Sequence, residues 1–165
     1  MFGPVRIFTP AHGSIVAIEG NALRVRQTDR SDVLLDPEGG IRMRLALPER
    51  ERGTMYMGAV IQEQVGAVLT AAIAYAVWLL DRVDPTMRLT HSAIAVTLSN
   101  AESATWRTQQ EQDASPNSIS MRGFGRDPQP VMLAPPVLPR PALRTEPNRL
   151  VEDLLTLMRR EWRAR

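Results

Sequence analysis

A chain of 165 residues and 18.4 kDa is one domain's worth and too short for two cores of ordinary size. Apolar residues at 44% and charged residues at 23% lie in the globular range and exclude wholesale disorder. Cysteine is absent, every basic residue is arginine and the net charge is only +2, which excludes disulfide scaffolds, thiol nucleophiles, Cys-ligated metals, Schiff-base lysines and a P-loop lysine.

Residues 1–10 contain no long apolar run and no small-residue cleavage site, so no signal peptide is read and a cytoplasmic location is expected. Residues 15–18 (IVAI) and 23–26 (LRVR) are β-rich, and Glu19, Gly20, Asn21 and Ala22 supply a turn between them. The pattern predicts a hairpin. A loop is expected through Asp29, Asp32 and the turn signal at residues 36–40. Residues 41–47 (IRMRLAL) then read as the cleanest strand, with Ile41, Met43, Leu45 and Leu47 inward, Arg42 and Arg44 outward, and Pro48 ending it.

The character changes after Gly53. Residues 60–83 run without proline and are rich in Ala, Leu and Gln, which predicts a long helix stopped by Asp84 and Pro85. Residues 65–80 carry no charge at all, so the helix is apolar nearly all round and must be buried. The run falls short of the roughly 20 apolar residues that cross a bilayer, so a core helix is expected and a membrane partner is not. Ala72, Tyr75, Ala76 and Leu79, spaced i, i+3, i+4 and i+7, are expected to form its buried face against the sheet.

Residues 89–98 read as another strand, with Ile94, Val96 and Leu98 on one face. Periodicity is lost over residues 99–127, a long polar loop, and residues 128–147 hold seven of the thirteen prolines. This arm is expected to run extended, with an edge strand at residues 131–133 and tryptic sites open at Arg107, Arg122 and Arg126. A C-terminal helix follows, capped by Thr145, with Pro147 in its first turn and Leu150, Val151, Leu154, Leu157, Met158 and Trp162 on one face. The expectation is a single α+β domain over residues 1–165. Its antiparallel sheet of four to five strands (β-β-β-α-β-(β)-α) is packed by one long apolar helix and the C-terminal amphipathic helix, with residues 99–147 as a loop and proline-rich arm within it.

Catalytic motifs do not emerge. His12 and His91 are far apart and lack metal-ligand spacing, and Asp29, Asp32, Asp36 and Glu38 do not match an EF-hand. Gly39-Gly40 lacks a phosphate-loop context. No catalytic residue, metal or cofactor is assigned. The best-founded cluster is Arg24, Arg26, Arg42 and Arg44, whose alternation sends all four guanidinium groups to one side if their strands share a sheet. Guanidinium groups suit phosphate recognition, and Arg122 and Arg126 flank Gly123-Phe124-Gly125 as a second candidate for nucleic-acid contact. Trp106, Met121 and Phe124 are the candidate anchors for a protein partner.

The pI near 9.9 reflects the missing Lys and Cys titrations rather than a strong field. All-arginine usage with abundant Ala, Val and Pro reads as codon bias of a GC-rich bacterial genome. The sequence thus favours a non-catalytic interaction module or accessory subunit that docks on a protein partner, itself or another. A nucleic-acid-binding accessory protein using the arginine face is the alternative, and an enzyme without recognisable motif is the third reading.

Overall fold

The hairpin expected at residues 15–26 forms as β1 (Ile15–Glu19) and β2 (Ala22–Gln27), antiparallel, with Glu19 opposite Ala22. Gly20 takes φ of 62°, which a two-residue hairpin turn requires at its first central position and glycine adopts without steric cost. The structure is a computed structural model that describes residues 7, 14–27, 30–47, 58–101, 104–116 and 128–164.

Directly after the hairpin the chain departs from its sequence reading at one element. Residues expected as loop form β3 (Ser31–Leu35), which pairs with β2 on one side and β4 (Ile41–Leu45) on the other. The four strands make an antiparallel meander in chain order. Five residues beginning Ser-Asp carry little strand signal of their own, and β3 is fixed by pairing on both edges. Its Val33 is buried between Val25 and Met43.

Short strands stitch the rest together. β5 (Ala59–Ile61) runs parallel to β8 (Thr105–Arg107), β6 (His91–Ser92) pairs with β10 (Leu138–Pro139), and β7 (Ala95–Val96) pairs with β9 (Val131–Met132). The single strand expected at residues 89–98 is therefore two short bridges, each closed by the proline-rich arm. That arm is extended only in these short strands, bending at residues 134–136 and turning helical over residues 142–145. It is pinned to the rest of the chain: Leu133 is buried, and the Arg140 N–H donates to the Thr90 carbonyl at 2.8 Å. Between β8 and β9 a short helix, α2 (Gln109–Ala114), lies within the expected loop. Thr108 accepts from the Glu111 N–H while the Glu111 carboxylate accepts from the Thr108 N–H, a capping box that the sequence T-x-x-E spells out.

The core lies between α1 (Gln62–Val83) and α4 (Pro147–Arg163). α4 matches its expected pattern, burying Leu150, Val151, Leu154 and Met158. Thr145 does not cap it, however. It ends the short α3 (Ala142–Thr145), where its hydroxyl donates to the Pro141 carbonyl. Gly66 of α1 faces Leu155 and Val151 so closely that a Cβ there would lie 3.3 Å from Leu155 Cδ1, so a missing side chain sets the spacing of the two helices.

The face of α1 also differs from expectation. Val65, Leu69, Ile73 and Leu80 are its buried stripe, one position round from Ala72, Tyr75, Ala76 and Leu79. An all-apolar helix carries no polar stripe to fix its rotation, and the packing of α4 and α3 decides it here. By length and composition α1 could cross a membrane. In this fold its ends are tied instead to neighbouring polar groups. Glu63 accepts from the Gln109 N–H at 2.8 Å, and Asp84, just past the last turn, binds the buried Arg140 guanidinium at 2.8 Å.

Candidate functional site

Strand register decides what the meander presents. Ile15, Arg26, Asp32 and Arg44 stand opposite one another across the four strands, and so do Ala17, Arg24, Leu34 and Arg42. Paired residues share a face and alternate residues return to it, so all four arginines lie on one side of the sheet, with Asp32 of β3 among them. The segment that forms β3 opens with turn-like residues, Ser31 and Asp32, so the sequence alone does not point to this carboxylate at the centre of the cluster.

Asp32 changes what the face can do. The Arg24 Nε donates to its Oδ1 at 2.8 Å, a second guanidinium nitrogen meets its Oδ2, and Glu19 takes Arg24 Nη1 at 2.6 Å. The hydrogen bond from Arg24 is the largest influence holding the Asp32 carboxyl below the usual carboxylate range, with the charges of Arg24, Arg26 and Arg44 adding to it. Arg24 is correspondingly held in its charged form by Asp32 and Glu19. Arg24 is thus engaged by two acids, whereas Arg26, Arg42 and Arg44 are exposed and make no ion pair among the described residues.

The other candidates scatter. Trp106 of β8 is half-buried, its indole N–H donating to Gln62 Oε1 at 3.2 Å and its ring 5.7 Å from that of Trp162 on α4. It thereby joins β8 to both long helices within the domain. Arg107, expected as an open tryptic site, is buried and donates to Gln112 Oε1 and the Ser115 carbonyl. Met121, Arg122, Phe124 and Arg126, like His12, lie outside the described residues. His91 is exposed on β6, its Nδ1 2.9 Å from the Thr90 hydroxyl.

Two surfaces were missed by sequence reasoning. The first is a cleft of about 820 Å³ between β4, α1 and residues 89–98, walled by Met43, Leu45, Val68, Ala72, Ile94 and Val96. The carboxyls held below their usual range, Asp32, Asp84 and Glu111, are each tied into hydrogen bonds with neighbouring groups, and none lines this cleft. Among the described residues no group of three or more metal-ligating side chains occurs.

The second surface is the outer strand. Ile15, Val16, Ile18 and Leu23 are 63%, 64%, 79% and 42% exposed, and among the described residues β1 pairs only with β2. Edge strands expose unpaired N–H and C=O groups, and natural edges are usually blunted by Lys, Pro, inward charges or bulges. β1 reads IVAIE and carries none of these along its first four residues. The signal was legible: IVAI is apolar on both strand faces, unlike IRMRL in β4. Comparison with protein-family models, with curated proteins and with solved structures finds no match to this chain.

Proposed function

We propose that the protein is a non-catalytic docking module, an accessory subunit that engages a protein partner through β1 and the apolar surface beside it. The observation that carries this reading is the exposure of Ile15, Val16 and Ile18 on an edge strand whose outer side is unpaired among the described residues. Such a strand offers main-chain hydrogen bonds for affinity and alternating side chains for specificity, the two elements of recognition by strand addition. Val16 and Ile18 share one sheet face with the exposed Leu23, which pairs with Ile18, and exposed apolar side chains grouped in this way mark interaction sites.

The test is a photoreactive residue at position 18 in cells that express the protein, with position 149, exposed on α4, as control. The reading expects covalent capture of a protein from position 18 and far less from position 149. Equal yields from the two positions would end it.

A second reading rests on Arg26, Arg42 and Arg44, exposed on one face and without ion pairs among the described residues. These groups could contact nucleic-acid phosphates. Each such contact lowers log K by about 0.9 per tenfold rise in salt, so three contacts predict a slope near −3, read on a DNA or RNA column at two salt concentrations. The docking reading expects weak retention, since Asp32 and Glu19 already engage Arg24.

A further inference from the structure

The docking strand can be matched against candidate partners by its own register. The two-residue turn at Gly20 and Asn21 makes Glu19 and Ala22 a pair that exchanges both N–H···O bonds. Alternation extends this to Ala17 with Arg24 and Ile15 with Arg26, so Val16 and Ile18 turn their backbone groups outward. Their side chains are also the most exposed of the large apolar residues in β1.

Resting on the docking reading above, we infer that the partner strand is β1 of a second copy, paired antiparallel about a two-fold axis through Ala17. In that register Val16 lies opposite Ile18 of the other copy, and the reverse, so both outward-facing residues gain backbone bonds and an apolar cross-strand neighbour. Ala17 meets Ala17, small against small, and Ile15 meets Glu19, so no like charges are opposed. Charge also favours this register. Arg26 stands beside Ile15 in its own sheet, about 10 Å or two strand spacings from Glu19 of the other copy, within reach of a long arginine. Arg26 has no ion pair among the described residues, and Glu19 keeps half of its side chain exposed beyond its bond to Arg24. The result is an isologous interface that closes at two copies and joins two four-stranded meanders into one continuous sheet.

The absence of native cysteine makes the register directly testable. Opposed residues in a non-hydrogen-bonded antiparallel pair have Cα atoms about 4.5 Å apart, inside the disulfide range of about 4.4–6.8 Å. Ala17→Cys should therefore form a covalent dimer rapidly under copper–phenanthroline oxidation. Ile15→Cys, whose symmetry mate lies roughly 13 Å away along the strands, should cross-link at least about tenfold more slowly. Sedimentation of the full-length wild-type chain should show a monomer–dimer equilibrium that shifts with concentration. Ile18→Pro removes an outward N–H, a position where proline is tolerated on edge strands, and should weaken the dimer at least about tenfold while leaving the circular dichroism unchanged. Ile18→Lys serves the same purpose should the proline variant fail to fold.

A wild-type chain that stays monomeric throughout, equal cross-linking at positions 15 and 17, or a dimer unaffected by Ile18→Lys would each overturn the inference. These failures leave the docking reading standing if position 18 still captures a different protein. They take it down with them if position 18 captures nothing.

Discussion

The meander and the helical half of this molecule are held together in different ways. The central cluster runs from β5 onward through α1, α3 and α4, and among the described residues of the first third only Ile41 and Leu47 pack against it. Within the meander Val33 is the one strand-borne apolar side chain among the described core residues, alongside the buried polar Gln27 and Ser31. The helical half is stabilised by burial, as expected for helices with apolar faces. The outermost strand β1 is held by sheet pairing with β2, and its apolar side chains Ile15, Val16 and Ile18 face water. Apolar residues that do not serve the domain's own core are the ones available to a partner.

Breaking the helical half should cost most. Leu154 is fully buried at the centre of α4, and Leu154→Ala should lower the free energy of unfolding by about 2–5 kcal/mol in urea titration, through lost transfer energy and a cavity.

The clamp at the end of α1 comes next. Arg140 is 5% exposed and bonds both the side chain and the carbonyl of Asp84, so Arg140→Met leaves a carboxylate without its cation. Its melting temperature should fall by several degrees. The Asp84 carboxyl is held below its usual range first by the Leu89 N–H, with the Arg88 N–H and the Arg140 charge adding to that. A carboxyl with a depressed folded value contributes stability above its unfolded value, about 3.9, and loses it as pH falls through the lower folded value. Wild-type stability should therefore drop on acidification below about pH 4, and the drop should be shallower in Arg140→Met, read by thermal melts across that window.

A smaller effect is expected at α2. Thr108→Ala removes the cap, should cost about 0.5–2 kcal/mol, and should speed amide exchange across residues 109–114 ahead of the rest. At the other extreme, Ile18→Lys touches no core contact, and the monomer's stability should change by less than about 0.5 kcal/mol. A large loss there would erase the contrast between the two halves.

Sequence periodicity made α1, α4, β1, β2 and β4 legible, because each runs for several residues with one repeating pattern or an unbroken apolar run. β3 was not, since Ser31 and Asp32 look like turn residues and the strand exists through its neighbours on both edges. The strands of two and three residues depend wholly on tertiary pairing. The capping box at Thr108 and Glu111 is spelled out in the sequence as T-x-x-E but sits inside a polar stretch without other periodicity. Of the candidate site, alternation placed Arg24 with Arg26 and Arg42 with Arg44, but the carboxylate between them could not be placed before β3 was. Trp106 lay in a segment without periodicity, and only the parallel pairing of β5 with β8 brings it onto Trp162.

The central claim, that the outer edge of β1 pairs with a second copy, is tested most directly by amide exchange at Val16 and Ile18, resolved by NMR over a range of protein concentrations. The account predicts that protection at these two outward-facing amides rises with concentration and collapses when Glu19→Lys places a positive charge opposite Ile15 and beside Arg26 of the other copy. Exchange at the unprotected rate at every concentration, with the Ala17 amide still protected by β2, would contradict it.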